Sequence, residues 1–221
     1  MNGNCGACNG LKLFVVAVAL IGGTALITRQ VVRADDPPKA GDKAAGGHEM
    51  SAEEKAQMEK WMAAATPGPH HKHLDALVGD WTTATKAIMK PGTPPEESTG
   101  TASFKWMMDG RFLAQDYNGS MMGMPFKGHG VMGYDNILKK YNSVWIDSMG
   151  TAMMIMTGTC DAAGKTITCE GDMPDCMTGK VVKMKSIHKI ESPTKHVFEL
   201  HMPDESGKMF KGLEVTYTRA K

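Results

Sequence analysis

The chain has 221 residues, 42% of them hydrophobic and 22% charged, with 25 basic against 24 acidic side chains. That length supports one domain of ordinary size with its own core. The near-neutral balance excludes nucleic-acid binding through bulk charge and excludes a solvating acidic tail, and five cysteines are too few for a disulfide scaffold.

The first 34 residues read as an export signal. An apolar run from Leu13 to Ile27 follows Lys12, and its length of about 15 residues suits a signal-peptide core better than a spanning helix of about 20. Val32-Arg33-Ala34 suits cleavage after Ala34, leaving a mature chain that opens on Asp35-Asp36-Pro37. Arg29 between the run and the cut departs from the pattern and keeps open an uncleaved anchor over residues 11–28, the one membrane contact expected. On either reading the bulk of the protein is exported, periplasmic or secreted. Cys5 and Cys8 form a C-x-x-C ahead of the run, so they read as part of the leader rather than as a redox or metal pair. Residues 35–50 are rich in Pro, Gly, Ala and charge and read as a disordered linker. Ser51-Ala52-Glu53-Glu54 is a capping-box pattern that opens a helix over residues 51–66. Met58, Trp61, Met62 and Ala65 share one face, expected to dock on the body through Trp61, and Pro67-Gly68-Pro69 ends the helix.

Residues 67–221 read as the main domain. After a short helical turn at Pro69, no helical period appears, and stretches of alternating character separated by turn residues predict ten strands. They run Trp81–Lys90, Thr99–Met108, Arg111–Gly119, Phe126–Tyr134, Tyr141–Ser148, Ala152–Cys160, Thr166–Gly171, Val181–Glu191, Lys195–Met202 and Met209–Arg219. Asp109-Gly110 is a tight hairpin signal. Sequential strands with short links predict an all-β fold, a single up-and-down antiparallel barrel, since closure removes the sheet edges. A sandwich is the competing architecture. In the last strand Met209, Lys211, Leu213, Val215, Tyr217 and Arg219 fall on one face by alternation.

A set of blocks then carries a family resemblance. Pro67-Gly68-Pro69-His70 leads to Leu74, Leu77 and Gly79-Asp80-Trp81. Gly110-Arg111-Phe112-Leu113, Gly128, Gly133-Tyr134-Asp135-Asn136 and Tyr141 follow. Trp145-Ile146-Asp147-Ser148-Met149-Gly150-Thr151 and Thr178-Gly179-Lys180 complete it. In this order they resemble the domain-of-unknown-function 1579 family over residues 58–219, which implies a fold and no activity. The Gly-x-Trp at Gly79–Trp81 is more loosely similar to the opening of calycin barrels: lipocalins, fatty-acid-binding proteins and nitrobindin-like proteins. That resemblance implies that Arg219 lies over Trp81 as a structural closure.

The candidate chemistry is sparse. Trp145 and Asp147 share a strand face with Tyr141, and Arg111 and Gln115 share a face of the third strand. If those faces are interior, all five, with Met153, line a pocket in which Asp147 anchors a ligand or handles a proton. His70 and His73 are spaced to hold a metal such as copper or zinc, against the plainer reading of a solvated turn. The methionine clusters suit Cu(I) or an adaptable apolar lining; alternation sends Met153 and Ile155 one way and Met154 and Met156 the other. Cys160 and Cys169 read as too far apart to bridge, which leaves Cys169–Cys176 as the candidate pair. His129, His188, His196 and His201 are spread along strands, and the nitrobindin-like resemblance makes one of them a candidate haem ligand. No nucleophile elbow, P-loop, zinc-protease or dinucleotide fingerprint occurs. Three readings follow. The first is a barrel binding a small apolar or amphipathic molecule, with no cofactor. The second is a copper-, zinc- or haem-associated barrel using His and Met. The third is a small-molecule enzyme using Asp147.

Overall fold

The computed structural model describes residues 49–175 and 178–221. The leader, most of the linker and Cys176 lie outside the described residues. Helix α1 spans Ala52–Ala65 and is opened by Ser51, whose hydroxyl accepts from the Glu54 amide while the Glu54 carboxylate accepts from the Ser51 amide. It buries no side chain. Trp61 is 63% exposed, so the expected docking through that residue does not occur. The end of the helix is held instead by Asn136, which donates to the carbonyls of Ala64 and Thr66.

Helix α2 (Pro69–Lys72) and a 3-10 turn (Asp75–Leu77) lead into ten strands. These are β1 (Gly79–Ala87), β2 (Glu96–Met107), β3 (Phe112–Met121), β4 (Met124–Asp135), β5 (Lys140–Asp147), β6 (Met154–Cys160), β7 (Thr166–Pro174), β8 (Val181–Ser192), β9 (Lys195–Pro203) and β10 (Met209–Arg219). Each strand pairs antiparallel with the next, and β10 returns to β1, so the sheet closes into a barrel without a sandwich break. Alternation decides what faces in. In β1 Trp81, Thr83 and Thr85 are buried while Asp80, Thr82, Ala84 and Lys86 are exposed. In β10 the expected single face is broken by a bulge between Lys211 and Leu213. Leu213, Val215, Tyr217 and Arg219 keep one phase, and Met209 is exposed.

One end of the barrel is plugged. Leu74 and Leu77, from the segment ahead of β1, are 0% and 1% exposed and sit in one cluster with Trp81, Phe104, Tyr141 and Tyr217. Trp81 donates its indole N–H to the Leu77 carbonyl at 2.8 Å. The Arg219 guanidinium lies 4.2 Å from the Trp81 ring centroid and donates to the carbonyls of Val78, Ala76 and Pro193. The bare Gly79 permits this approach: a Cβ there would meet Arg219 Nη1 at 2.6 Å, on a backbone with φ of +122°. Arg219 thus ties the last strand to the first strand and to the plug.

Arg219→Ala should lower stability by about 2–3 kcal/mol, from the lost cation–π contact and charged hydrogen bonds. The denaturant midpoint should fall with an unchanged slope. Arg219→Lys should recover less than half of the loss, because an ammonium cannot lie flat on the indole and reach three carbonyls together.

Candidate ligand-binding interior

The floor of the interior is closed by aromatic rings and by one polar row. His188 (β8) and His196 (β9) meet diagonally across their strands, with Nε2 of His188 2.8 Å from Nδ1 of His196. The His196 ring is 0% exposed, stacks on Tyr217 at 4.2 Å, and packs at a steep angle against Trp81 at 4.3 Å. From the far wall Gln115 Nε2 donates to the Tyr217 hydroxyl at 3.1 Å, spanning the two strands that separate β3 from β10. Gln115, Tyr217, His196 and His188 therefore form a row across the barrel above the plug.

The mouth-side part of the inner wall differs from the floor. At the floor Trp81, Tyr141, Ile167 and His196 are at most 2% exposed, and Phe104, Tyr217 and His188 beside them are 3–6% exposed. Inward positions nearer the other end, among them Trp145, Met154, Val182, Phe198, Leu200 and Leu213, remain partly exposed. A side chain that points into a closed barrel meets solvent only through the interior, so this half is accessible from the mouth. On the β1–β3 side the space is filled: the Tyr117 hydroxyl meets Thr83 Oγ1 at 3.3 Å and Thr85 Oγ1 at 3.0 Å, and Phe126 packs edge-on against the Tyr117 ring.

Trp145 and Asp147 face inward together. Trp145 Nε1 donates to Asp147 Oδ2 at 3.0 Å, and Asp147 Oδ1 accepts from the Met149 amide at 2.9 Å, so both carboxylate oxygens are engaged at the mouth. The indole lies across Gly130 and Gly128 of β4. A Cβ at Gly130 would meet Trp145 Cε3 at 3.0 Å, and one at Gly128 would overlap the ring. The two glycines make the floor on which Trp145 lies.

Gln115 also faces in. The other candidates fall elsewhere. Tyr141 is inward but sealed in the plug at 1% exposure. Its hydroxyl donates to the His70 carbonyl at 2.9 Å, which makes His73 Nδ1, 2.8 Å away, the donor to it. Arg111 does not extend β3. It sits in the hairpin after Met108, Asp109 and Gly110, all at positive φ, and donates to the Met108 carbonyl. Met153 precedes β6 and is 62% exposed, whereas Met154 and Met156 point inward. His70 stacks on Tyr134 at 4.3 Å, and its ring lies 5.3 Å from that of His73. Among the described residues no group of three or more His, Cys, Asp or Glu is arranged to hold a metal. Cys160 and Cys169 are free thiols. Cys160 pairs with Ile167 and Cys169 with Gly158, so the two are diagonal neighbours on the inner wall rather than distant ones. Burial lifts the Cys169 thiol to about 11, which keeps it protonated.

Two open depressions lie along the outer wall. One of about 240 Å³ is lined by β1–β3 residues including Asp80, Thr101 and Ser103. One of about 560 Å³ is lined by Asn118, Lys127, His129 and Ser148 with parts of their neighbours. In the second, His129 Nδ1 is 2.8 Å from Asp116 Oδ1 on an exposed strand surface. Neither depression encloses a small molecule, and the interior is the better candidate site.

Burial alone lowers His188 to about 4, and burial, then His188 and Arg219, lowers His196 further. Both rings are neutral in the folded protein, while an unfolded histidine titrates near about 6.5. Between about pH 4 and 6.5 the unfolded chain therefore binds protons that the folded chain refuses. Stability should be complete above that window and fall as the pH drops through it. Denaturant titrations should show His188→Gln, which cannot titrate, with a shallower pH dependence, by up to about 1.4 kcal/mol per pH unit. An unchanged slope would remove His188 from the titration.

Comparison with known proteins agrees with this architecture. No curated protein matches the chain. Among solved structures, the crystal structure of Rv2717c from M. tuberculosis matches with a TM-score of 0.53 at 17% identity, covering 71% of this chain and 100% of that one. At that identity the likeness shows the fold alone. An S-type phycobiliprotein lyase, CPES from Guillardia theta, matches with a TM-score of 0.48 at 12% identity over 70% of this chain and 99% of that one. A redesigned β-barrel bound to DFHBI, mFAP0, matches with a TM-score of 0.35 at 15% identity over 65% and 99%. A family model covers residues 66–219, from just ahead of the plug to the arginine that closes the barrel, and by that match the chain belongs to the DUF1579 family of proteins of unknown function.

Proposed function

We propose that this chain is an exported binding protein that takes a small apolar or amphipathic molecule into the mouth-side half of its barrel. The observation that carries the reading is the gradient along the inner wall, from a floor of buried aromatic and histidine side chains to a mouth-side half in which Trp145, Met154, Val182, Phe198, Leu200 and Leu213 keep partial access to solvent. Phe198, Leu200, Leu213, Val182 and Met154 supply apolar surface from neighbouring strands, and burying such surface yields about 25 cal/mol per Å². Thioethers on that wall adapt to a ligand's outline. Trp145 on its glycine floor adds a large flat surface to the mouth-side half.

A neutral apolar dye such as Nile red tests this directly. The protein should enhance its emission saturably at about one dye per chain. Leu200→Trp, which fills the interior, should weaken binding at least about ten-fold while leaving far-UV circular dichroism unchanged. Unsaturable binding, or binding indifferent to that substitution, would move the dye to the outer wall and defeat the reading. The export half of the proposal has its own check. Protein recovered from its native host should have a mass that lacks residues 1–34 and should begin at Asp35, whereas a full-length mass in the membrane fraction would favour the anchor.

A further inference from the structure

Among the described residues, the interior displays hydrogen-bonding groups and, below the rim, no free charge. Strand parity sends the wall's ionic side chains outward: Lys105 on β2, Asp116 on β3, Lys127 on β4, Lys183, Lys185 and Lys189 on β8, and Glu199 on β9 all alternate with inward neighbours. Among the described residues, three charged ones share the inward phase, the first being Glu96, exposed at the rim as the opening residue of β2. Arg219 is spent on Trp81 and three carbonyls beneath the plug. Asp147 sits at the rim with both oxygens engaged.

The polar row above the plug is only partly satisfied. His196 Nε2 is buried with no hydrogen-bond partner, among the rings of Trp81, Phe104 and Tyr217. Aromatic faces accept an N–H but repel a bare lone pair. His196 therefore carries its proton on Nε2 and accepts at Nδ1 from His188 Nε2–H. That assignment leaves His188 Nδ1 with a lone pair and no protein partner. Tyr217 accepts from Gln115, which leaves its own hydroxyl proton without a protein acceptor, and Gln115 Oε1 is equally uncommitted. The row thus offers one donor and two acceptors, all neutral. An unpaired ion taken into such a place would lose its hydration without gaining a countercharge.

We infer that the polar group of the bound molecule is uncharged and both donates and accepts hydrogen bonds, as a primary amide or an alcohol does, and that Gln115, Tyr217 and His188 hold it. The inference rests on the interior-binding reading above and names the ligand class for that site. A carboxylate-headed amphiphile is disfavoured, since no inward Lys or Arg is free to meet it.

Competition against Nile red at about pH 7.5, where a carboxylic acid is ionised, separates the two claims. The probes are decanamide, decanol, decanoate, decylammonium and, as the headless reference, decane. Decanamide and decanol should displace the dye at concentrations at least about ten-fold lower than either ion, a difference of about 1.4 kcal/mol or more. Tyr217→Phe and Gln115→Leu, each read against the dye affinity of that same variant, should erase most of the amide's advantage over decane. Equal or tighter displacement by decanoate or decylammonium would overturn the neutral-head inference and leave interior binding standing. An amide preference that survives in both variants would overturn the residue assignment. Failure of the dye to bind at all would instead defeat the interior reading itself.

Discussion

Closure of the barrel depends on the first and last strands staying joined, and one stacked pair locks the floor end of the ladder that runs from Trp81–Arg219 to Ala87–Leu213. Arg219 lies over Trp81 while its three guanidinium nitrogens reach three carbonyls, two of them just ahead of β1 and one in the β8–β9 turn. Trp81 in turn bonds the 3-10 turn through its indole N–H. A delocalised cation that wets poorly is suited to this position, because it satisfies orphaned carbonyls without requiring a buried counterion. Without that ladder, β1 and β10 would be two exposed sheet edges.

The same closure divides the interior into two unlike halves. Below, aromatic rings and the plug leucines pack as a core. Above, the wall is apolar, filled on the β1–β3 side and partly exposed elsewhere, and the row from Gln115 to His188 separates the two regions. Burying two imidazoles in contact is tolerable only while both are neutral, and the rings around them enforce that state. In the binding role proposed above, the row's neutrality links the stability of the floor to the kind of ligand the space above it would accept.

The fold was largely legible in the sequence because turn chemistry and alternation agree. The Asp109-Gly110 hairpin, the Gly133-Tyr134-Asp135-Asn136 corner and the Ser192-Pro193 turn bound strands whose inward phase is fixed by a few large residues. Trp145 and Asp147 could be placed on one face because nothing interrupts β5. Arg111 and Met153 could not, because parity was carried past the true strand ends. The hairpin absorbs Arg111 with three positive φ values, and β6 starts one residue after Met153. The His188–His196 contact was hidden for a different reason. It is a diagonal pair set by a register shift between Ile190 and Ser192, and a shift of that kind leaves no mark in a period-two pattern. The signal that was present is simpler: two histidines four residues on either side of the Ser192 turn, both in phase with apolar neighbours.

The mouth itself is edged by methionines. Met122 and Met124 at the β3–β4 turn, Met149 and Met153 between β5 and β6, and Met209 at the start of β10 are 41–62% exposed. An unbranched thioether swings aside at little torsional cost, and its sulfur is polarisable enough to slide over many surfaces. Such a lip can widen or narrow without a hinge in the backbone. A guest could pass while every rung of the barrel's hydrogen-bonded wall stays in place.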